Sequence, residues 1–338
     1  MNIGIIGSGN IASWIADILQ QLNSDQIKLY AVSAPLDPKV QEFADRWGFE
    51  KVHKTVEELV SDAKVDIVYV AVPNPFHYEM CMLALEHGKN VVVEKPFAIN
   101  DKQAAAMIAK AKEKGVFLSE ALWPSFLPSR RMIDDIISSG EIGEVTGGKL
   151  QSLTNVMFLE RVTKLETGGG ALLDMGPYVL GRMTDHFGWD IKSVTGDYEL
   201  LDTGVDARDY FTVEYNSGIK VECAVTINTP REDIEVFGEH GWIYGTKGTI
   251  KFDSLSNPRL IEILDLEGNL VRSEEIPPQI KRREKPFVGG YENEWIAFEK
   301  ALSEGKTETD EAPLAMTLKI AEVMTELRRQ AGVIFPFE

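Results

Sequence analysis

The first 120 residues alternate apolar runs with amphipathic segments, and this alternation restricts the fold more than any other feature of the chain. Buried strands are predicted for the short apolar runs 2–6, 28–33, 66–72, 91–93 and 116–118. The amphipathic segments between them predict helices, among them one at 101–114 that begins after Asn100 or Asp101 and ends at Gly115. Strands that alternate with helices build a doubly wound parallel sheet with right-handed crossovers.

The pattern changes after residue 120. A predicted helix at 126–138 is followed by strand-like segments with hairpin signals, and two predicted helices, 290–304 and 313–331, end the chain. This order predicts an α+β domain with a large, mostly antiparallel sheet and helices on one face. We therefore expect two domains, 1–120 and 121–338, with the C-terminal helix packing back on the first. The exposed face of this second sheet is suited to contact with a second copy of the chain, so we expect a homo-oligomer such as a homodimer.

Composition excludes several classes of partner. The chain has 338 residues and a formal net charge of −18, so nucleic acid and anionic membrane surfaces are not expected partners. It shows no signal-peptide pattern and no apolar run of membrane-spanning length, which predicts a cytoplasmic protein. Cys81 and Cys223 are far apart and lack C-x-x-C spacing, so neither a disulfide framework nor a metal site is predicted.

A glycine-rich turn, Gly7-Ser8-Gly9-Asn10-Ile11-Ala12, follows the first predicted strand and opens the first predicted helix. Gly7 permits a tight turn, Gly9 allows backbone to approach a phosphate closely, and Ala12 replaces a third glycine where helix and strand must pack. The free N–H groups and positive end of the helix favour an anion. The motif alone is weak, but in an alternating βα region it predicts a dinucleotide site.

Polar or proline-rich turns follow three more of the predicted strands. They are the segments 73–77 (PNPFH), 94–96 (EKP) and 120–124 (EALWP). Each could simply cap a strand or begin a helix, and Asn74 suits a helix cap. Because the carboxyl ends of parallel strands meet at one sheet edge, three such turns beside the glycine turn favour a shared pocket.

Lys95 directly follows a buried apolar strand, where desolvation disfavours its charged form. Pro96 restricts Lys95 to an extended backbone, so its direction is set by the main chain. A rim ion pair with Glu94 is the structural alternative. Consecutive strand residues point to opposite faces, which makes that pairing awkward and favours a functional lysine.

A second glycine motif, 168–178 (GGGALLDMGPY), lies in the second predicted domain. Its glycines let backbone pass close to a bulky group, and four-residue spacing can place Asp174 and Tyr178 on one helix face. Pro177 predicts that the helix begins near Met175, with the proline in its first turn. The local pattern leaves two interpretations open: a functional pair, or Asp174 as an N-cap and Tyr178 as a packed ring.

Together the four motifs resemble those of the glucose-fructose oxidoreductase and inositol dehydrogenase family, Gfo/Idh/MocA, in the same order along nearly the whole chain. The resemblance implies a nicotinamide dinucleotide held by the first domain, a substrate between the domains, and Lys95 as a catalytic residue. The implied cofactor contacts are Gly7, Ser8, Gly9, Asn10, Ile11, Ser33, Ala34, Pro73, Asn74, His77, Glu94, Lys95 and Trp123.

Tyr178 stands where many family members have histidine. With the segment 120–123, Phe126 and Pro128, this tyrosine is closer to the branch of dimeric dihydrodiol dehydrogenases and sugar dehydrogenases. That branch usually has arginine where this chain has Ser125, so a particular substrate does not carry over.

The implied reaction is hydride transfer between nicotinamide C4 and a carbinol or carbonyl carbon of a sugar, polyol or diol. We expect Tyr178 to be the acid-base group, with Lys95 favouring its phenolate form and Asp174 orienting Lys95 or a substrate hydroxyl. Trp123, Lys149 and Arg161 are further candidates for substrate contact. The alternative is a non-catalytic NAD(P)-binding sensor.

The end of the second predicted strand bears on the choice of cofactor. NAD enzymes commonly place an acidic residue at this strand tip, whereas here the tip is Ser33-Ala34-Pro35. Ser33 could donate to a 2′-phosphate, although the arginine often found beside it is replaced by Ala34. The sequence therefore predicts NADP rather than NAD.

Overall fold

The computed structural model describes residues 1–284 and 288–338, and the chain divides into two compact units. The first unit comprises Met1–Trp123 and Gln279–Leu318, and the second comprises Pro124–Pro278 and Lys319–Glu338. The helix α9 (Glu292–Ser303) thus belongs to the first unit, and the helix α10 (Leu314–Ala331) has residues in both. None of the described helices is both long and apolar enough to cross a bilayer.

The first unit is built on a parallel six-stranded sheet with the strand order β3-β2-β1-β4-β5-β6. Its strands are β1 (Asn2–Ile6), β2 (Lys28–Ser33), β3 (Lys51–Val52), β4 (Ile67–Val70), β5 (Asn90–Glu94) and β6 (Leu118–Ala121). The helices between them are α1 (Asn10–Leu22), α2 (Val40–Trp47), α3 (Val56–Ser61), α4 (His77–Glu86) and α5 (Asp101–Lys114). The predicted doubly wound sheet is confirmed.

Local signals position α5 as expected. The Asn100 side chain accepts a hydrogen bond from the Gln103 N–H at 2.9 Å, and Gly115, with φ of 65°, ends the helix. The sixth strand is displaced from its predicted position at 116–118, because Phe117 N–H bonds the Asn90 side chain at 3.0 Å and strand pairing with β5 begins only at Leu118. Glu120 therefore lies inside β6 rather than after it.

The second unit contains an eight-stranded sheet with the order β14-β13-β12-β11-β7-β10-β9-β8. Its strands are β7 (Val145–Leu153), β8 (Ile191–Leu200), β9 (Asp206–Tyr215), β10 (Lys220–Thr226), β11 (Glu239–Gly245), β12 (Thr249–Phe252), β13 (Leu260–Leu264) and β14 (Leu270–Glu275). Its other helices are α6 (Pro128–Ser139), α7 (Ala171–Phe187) and α8 (Arg231–Phe237). The β7–β10 pair is parallel and the other neighbouring pairs are antiparallel, as the mostly antiparallel prediction requires.

The helix α7 packs on one face of this sheet. A Cβ atom on Gly148 would lie 2.4 Å from the Phe187 ring, so residue 148 faces α7. The prediction that this helix begins near Met175 was wrong, because it begins at Ala171 and keeps Pro177 inside it. Pro177 removes one backbone hydrogen bond from the helix. The burial of most of α7, and the hydrogen bond from the Leu172 N–H to the Asp206 carboxylate in the first turn, offset this loss.

Candidate active site

The turn after β1 has a shape that only glycine permits at residue 7. Gly7 has φ of +115°, and a Cβ atom there would lie 2.4 Å from the Ala71 carbonyl oxygen. The Gly7 N–H donates to the Ser33 carbonyl oxygen at 2.9 Å, which ties the turn to the end of β2. The turn is therefore held against both neighbouring strands.

The first turn of α1 is open to an anion. Gly9 precedes the helix without a side-chain cap, the first turn carries no acidic residue, and a Cβ atom on Gly9 would meet nothing within 4 Å. The first N–H groups of a helix have no partner within it. The residues present fit a dinucleotide pyrophosphate, which would rest on the N–H groups at Gly9, Asn10 and Ile11.

A carboxylate reaches this turn from beyond the end of β2. Ser8 Oγ donates to Asp37 Oδ2 at 2.5 Å, and this bond lowers the pKa of Asp37. Asp37 also accepts from the Lys39 N–H at 2.9 Å, so its loop is fixed. Ser33, by contrast, is fully buried, and its Oγ has no hydrogen-bond partner among the described residues.

The loops after β4 and β5 are joined by His77, which the sequence assigned to the cofactor. This ring is 1% exposed, with Nδ1 at 2.8 Å from the Pro96 carbonyl oxygen and Nε2 at 2.9 Å from that of Val72. His77 therefore holds the segment that follows Lys95. Pro73 and Asn74 lie in the same turn, where Asn74–Phe76 forms a short 3-10 helix before α4.

Lys95 follows β5 at the sheet edge, beside two buried carboxyl groups. Glu94 ends β5 and accepts from the Tyr69 hydroxyl and from the Lys95 N–H, and Glu120 in β6 accepts from the Phe97 N–H at 3.1 Å. Burial raises the pKa of Glu94 to about 7, against the lowering effects of Tyr69 and Lys95. Trp123 follows β6, is 4% exposed, and packs on the Tyr291 ring with centroids 4.6 Å apart.

In the second unit, the glycines of the 168–178 motif are explained by what they approach. A Cβ atom on Gly169 would lie 2.7 Å from the Val162 carbonyl, and one on Gly170 would lie 2.2 Å from Asp206 Oδ1. Asp206 accepts from the Leu172 N–H at 2.6 Å and so anchors the start of α7. The backbone passes close to Val162 and Asp206, as the glycine run predicts.

The helix α7 carries Asp174 in its first turn and Tyr178 one turn later. Arg161 Nη1 donates to Asp174 Oδ1 at 2.9 Å, with the Arg161 side chain 55% exposed and that of Asp174 6% exposed. The N-cap position belongs to Gly170, so the interpretation of Asp174 as an N-cap was wrong. Two of the predicted site residues, Arg161 and Asp174, are thus brought together.

Lys149 lies apart from this group. Residue 148 faces α7, and side chains alternate along a strand, so Lys149 projects from the opposite face of the sheet. Its Nζ lies 5.9 Å from the centre of the Trp242 ring. We therefore do not assign Lys149 to a site with Asp174 and Tyr178.

Sequence reasoning missed three residues next to the predicted ones: Tyr69, which bonds Glu94, Asp206, which anchors α7, and Asp37, whose contact with Ser8 was not foreseen. A tyrosine in the apolar run 66–72 was the available signal for Tyr69, because a buried hydroxyl needs a partner. Nothing local in the sequence indicated Asp206.

Two family models match the chain. The model described as "Oxidoreductase family, NAD-binding Rossmann fold" matches residues 1–122, and the GFO/IDH/MocA C-terminal domain matches 131–251. The chain belongs to the GFO/IDH/MocA family of oxidoreductases. The family resemblance predicted from the motifs is confirmed, and with it an enzyme that uses a nicotinamide dinucleotide.

Individual relatives agree with this assignment. A trans-1,2-dihydrobenzene-1,2-diol dehydrogenase from Xenopus laevis is 31% identical over 341 residues and covers 98% of both chains. A 3-ketoreductase from Actinomadura kijaniata, solved with NADP and TDP-benzene, is 21% identical with a TM-score of 0.83 over 98% of this chain and 97% of its own. An oxidoreductase from Agrobacterium radiobacter, solved with NAD+, L-tartaric acid and magnesium, is 18% identical with a TM-score of 0.83 over 98% and 96%.

Proposed function

We propose that this oxidoreductase transfers a hydride between nicotinamide C4 and a carbinol or carbonyl carbon of a diol, polyol or sugar. The observation that carries the proposal is the placement of Lys95 at the same carboxyl edge of the parallel sheet as the glycine turn. A dinucleotide held at Gly7 to Ile11 would extend along that edge. The name of the Xenopus laevis relative supports a vicinal diol as the first substrate to try.

The bound nicotinamide supplies the hydride donor or acceptor. We propose that Tyr178 exchanges the proton at the reacting oxygen, and that Lys95 stabilises negative charge on that oxygen and on the phenolate. Asp174 would orient a substrate hydroxyl or Lys95, with Arg161 holding its carboxylate at 2.9 Å. Trp123 would supply a flat apolar surface for the substrate.

A substrate screen followed by two substitutions tests this proposal. Diols, polyols and sugars are screened for reduction of NADP+ and NAD+, and Lys95→Ala and Tyr178→Phe are then expected to lower kcat by about 10² or more. Cofactor binding, followed by fluorescence, should change little. Lys112→Ala, a surface lysine at the end of α5, is the matched control.

Wild-type turnover in either variant would reject the role given to that residue. Tight cofactor binding with no turnover of any compound would favour the non-catalytic sensor instead.

The predicted preference for NADP stays a prediction, and two features of the first unit oppose it. Ser33, which was expected to donate to a 2′-phosphate, is fully buried, and the Asp37 carboxylate stands at Ser8 where it would repel such a phosphate. Titration with NADPH and NADH decides the preference. If Asp37 acts by charge, Asp37→Asn should tighten NADPH binding and leave NADH binding nearly unchanged.

We also propose that the chain forms a homo-oligomer through the sheet face opposite α7. Tyr210 and Tyr244 are 51% and 39% exposed, and Lys149 pairs in register with Glu222 on the neighbouring strand. Aromatic rings beside charges of both signs suit a self-complementary contact. Light scattering after gel filtration should give a multiple of 37.7 kDa, and Tyr210→Glu should lower that mass.

A further inference from the structure

Two buried aspartates lie at the start of β9, and the first of them contacts the first turn of α7. Asp206 is 1% exposed and Asp209 is 0% exposed. Both belong to the second unit, and neither side chain has a part in the proposed mechanism. We call these two residues the β9 carboxyl pair.

An extra residue in β9 brings the two side chains to the same face of the sheet. Arg208 pairs with Glu199 on β8, and Asp206 pairs with the next residue of β8, Leu200. Ala207 is therefore a β-bulge, because two steps along β9 correspond to one step along β8. Side chains three residues apart in a regular strand point to opposite faces, but the bulge cancels one step of that alternation. The two carboxyl groups accordingly lie within hydrogen-bond distance of each other.

Most oxygen atoms of the β9 carboxyl pair lack a donor when both groups are ionised. Asp206 Oδ2 accepts from the Leu172 N–H at 2.6 Å. Asp206 Oδ1 and both carboxylate oxygens of Asp209 are buried and receive no hydrogen bond from the described residues. Two adjacent charges with so few donors are strongly disfavoured in a desolvated place. One proton shared between the two groups supplies the missing donor.

The start of α7 decides which of the two groups keeps the negative charge. Asp206 accepts from a backbone N–H in the first turn of that helix, where the positive end of the helix dipole favours an anion. Asp209 has no such donor among the described residues. Burial, and then the charge of Asp206, raises the pKa of Asp209 well above its ordinary value. The proton therefore belongs on Asp209 and the negative charge on Asp206.

The titratable side chains that the described strands and α10 place around the pair leave it without a positive charge of its own. Tyr198 on β8 is in register with Asp209. Burial, and then the charges of Asp209 and of Glu326 on α10, raise the pKa of this phenol, which keeps it neutral. Arg208 lies between the two aspartates in sequence, but its Nε donates to Asn228 Oδ1 at 2.7 Å.

The remaining neighbours of the pair lie on β10 and α7. On β10 the residue in register with Asp209 is Val225, which does not titrate. The acidic residue in the first turn of α7 is Asp174, which is paired with Arg161 at 2.9 Å. This is the same turn whose backbone the β9 carboxyl pair holds.

We propose that the β9 carboxyl pair shares one proton, held by Asp209 and donated to Asp206 Oδ1, and that the pair positions the first turn of α7. Asp206 and Asp209 are thus positioning residues for Asp174 in that turn and for Tyr178 one turn later. This inference rests on the proposed function only in giving α7 a part in the reaction. Gly170 fits the arrangement, because a Cβ atom there would lie 2.2 Å from Asp206 Oδ1, the oxygen that receives the proton.

Infrared spectroscopy of the full-length protein tests whether the pair holds a proton. At about pH 8.5, where ordinary carboxyl groups are ionised, Asp209→Asn should remove the intensity of one group from the carbonyl band of protonated carboxyls. Asp202→Asn is the matched control, because Asp202 is an exposed aspartate in the turn before β9 and should leave the band unchanged. An unchanged band in Asp209→Asn would mean that both groups are ionised and would overturn the proposal.

Hydrogen exchange, read by mass spectrometry with fragmentation to single residues, tests where the negative charge lies. In Asp209→Asn the Leu172 N–H should exchange within about twofold of the wild-type rate, because an amide N–H replaces the acid as donor to Asp206. In Asp206→Asn the same exchange should rise about tenfold, because a neutral acceptor binds an N–H more weakly than an ionised one. A wild-type rate in Asp206→Asn, or equal acceleration in the two variants, would overturn the assignment.

Asp209→Leu removes the donor without replacing it. Its Leu172 N–H should exchange faster than in Asp209→Asn, and Asp202→Leu is the control for the added leucine side chain. Equal rates in the leucine and asparagine variants would contradict the role of the proton. If Asp209→Leu does not fold, the comparison of Asp206→Asn with Asp209→Asn still decides. Failure of Asp209→Asn to fold would count against the proposal, because the amide keeps both the donor and the volume of the acid.

Activity supplies the last readout. Asp206→Asn should lower kcat about tenfold by displacing the first turn of α7, while cofactor Kd, which we assign to the first unit, stays at the wild-type value. Asp209→Leu should lower kcat more than Asp209→Asn does, and Asp202→Asn should leave it unchanged. Equal kcat in the two Asp209 variants, or wild-type kcat in Asp206→Asn, would remove the positioning role. The infrared and exchange tests need no turnover, so a failed substrate screen rejects the proposed function and leaves this inference standing or falling by itself.

Discussion

Two groups of buried carboxylates, one around Asp185 in the second unit and one formed by Glu94 and Glu120 in the first, differ in the charges that surround them. In the second unit the Asp185 side chain is fully buried, with Arg130 Nε at 3.2 Å and Arg182 Nη1 at 3.9 Å. Burial lowers the pKa of Arg182 to about 10, so it stays charged at neutral pH. In the first unit, burial raises the pKa of Glu94 and that of Glu120 to about 7, while the charge of Lys95 lowers both.

The two groups should therefore respond differently when the pH changes near neutrality. A guanidinium keeps its charge throughout the physiological range, so Arg182 stays charged beside Asp185 and opposes the rise in the pKa of Asp185 that burial causes. A carboxyl group neutralised by a proton changes its charge when the pH changes. The pair Glu94 and Glu120, at the sheet edge where the cofactor is expected, is therefore the group whose charge changes near pH 7.

The largest loss of stability should follow from removing an arginine beside the buried Asp185 side chain. Arg182→Met removes one cation from Asp185 and the 2.8 Å bond from Arg182 Nε to the Leu255 carbonyl. Leaving a buried charge with fewer partners should cost about 3–5 kcal/mol in the free energy of unfolding, measured by urea denaturation. Arg329→Met, which breaks an exposed pair with Glu326, should cost under about 1 kcal/mol. Equal losses in the two variants would contradict the distinction.

The effect of Glu120→Gln on the free energy of unfolding should depend on pH. Because the pKa of Glu120 is raised from 4.5 to about 7 in the folded protein, the folded state binds more protons than the unfolded state between those values. Wild-type stability relative to the variant should therefore fall by about 3 kcal/mol from pH 4.5 to pH 8. Denaturation at pH 4.5, 6 and 8 measures this change, and a constant difference between the proteins would refute it.

Tyr69→Phe should produce a smaller, pH-dependent loss. The hydroxyl donates to Glu94, and a hydrogen bond to an ionised carboxylate contributes about 1.5–3 kcal/mol, more than one to a neutral group. The loss should be greater at pH 8, where Glu94 is ionised, than at pH 6. Tyr30→Phe, which removes a 3.3 Å bond to Asp62, is the comparison, and a loss in Tyr69→Phe that does not change with pH would count against this account.

The smallest effect on stability should come from Arg161→Gln, because half-exposed ion pairs contribute within about 1 kcal/mol. Asp174 would lose its 2.9 Å contact and with it a fixed orientation. KM should rise several-fold while the melting temperature changes little. A large drop in melting temperature would instead show that Arg161, like Arg182, mainly stabilises the fold rather than the candidate active site.

The parts of the fold that could be predicted from the sequence were those that depend on interactions between residues close together in the chain. The glycine turn, the α5 caps and the alternation of the first 120 residues depend on backbone geometry and local hydrogen bonds. The start of α7 was missed because Asp206, 32 residues after Asp174, supplies its acceptor. The sixth strand was displaced because Asn90 fixes Phe117 from a different segment.

The candidate site divides in the same way. Strand ends placed Gly7, Lys95 and Trp123 at one edge of a parallel sheet, since the carboxyl ends of parallel strands must meet there. Lys149 could not be oriented from its sequence position, because the face of a strand that meets a helix depends on where that helix packs.

By itself, the sequence determined the family, the two kinds of sheet and the residue types of the site, because these follow from periodicity, glycine geometry and motif order. Only the tertiary structure decided which charges share a desolvated space. Glu94 and Glu294 are 200 residues apart, and the charge of Glu94 raises the pKa of Glu120 and that of Glu294 only once β5, β6 and α9 pack together. Desolvation is a property of that packing, so the raised pKa values of these buried carboxyl groups cannot be read from the chain alone.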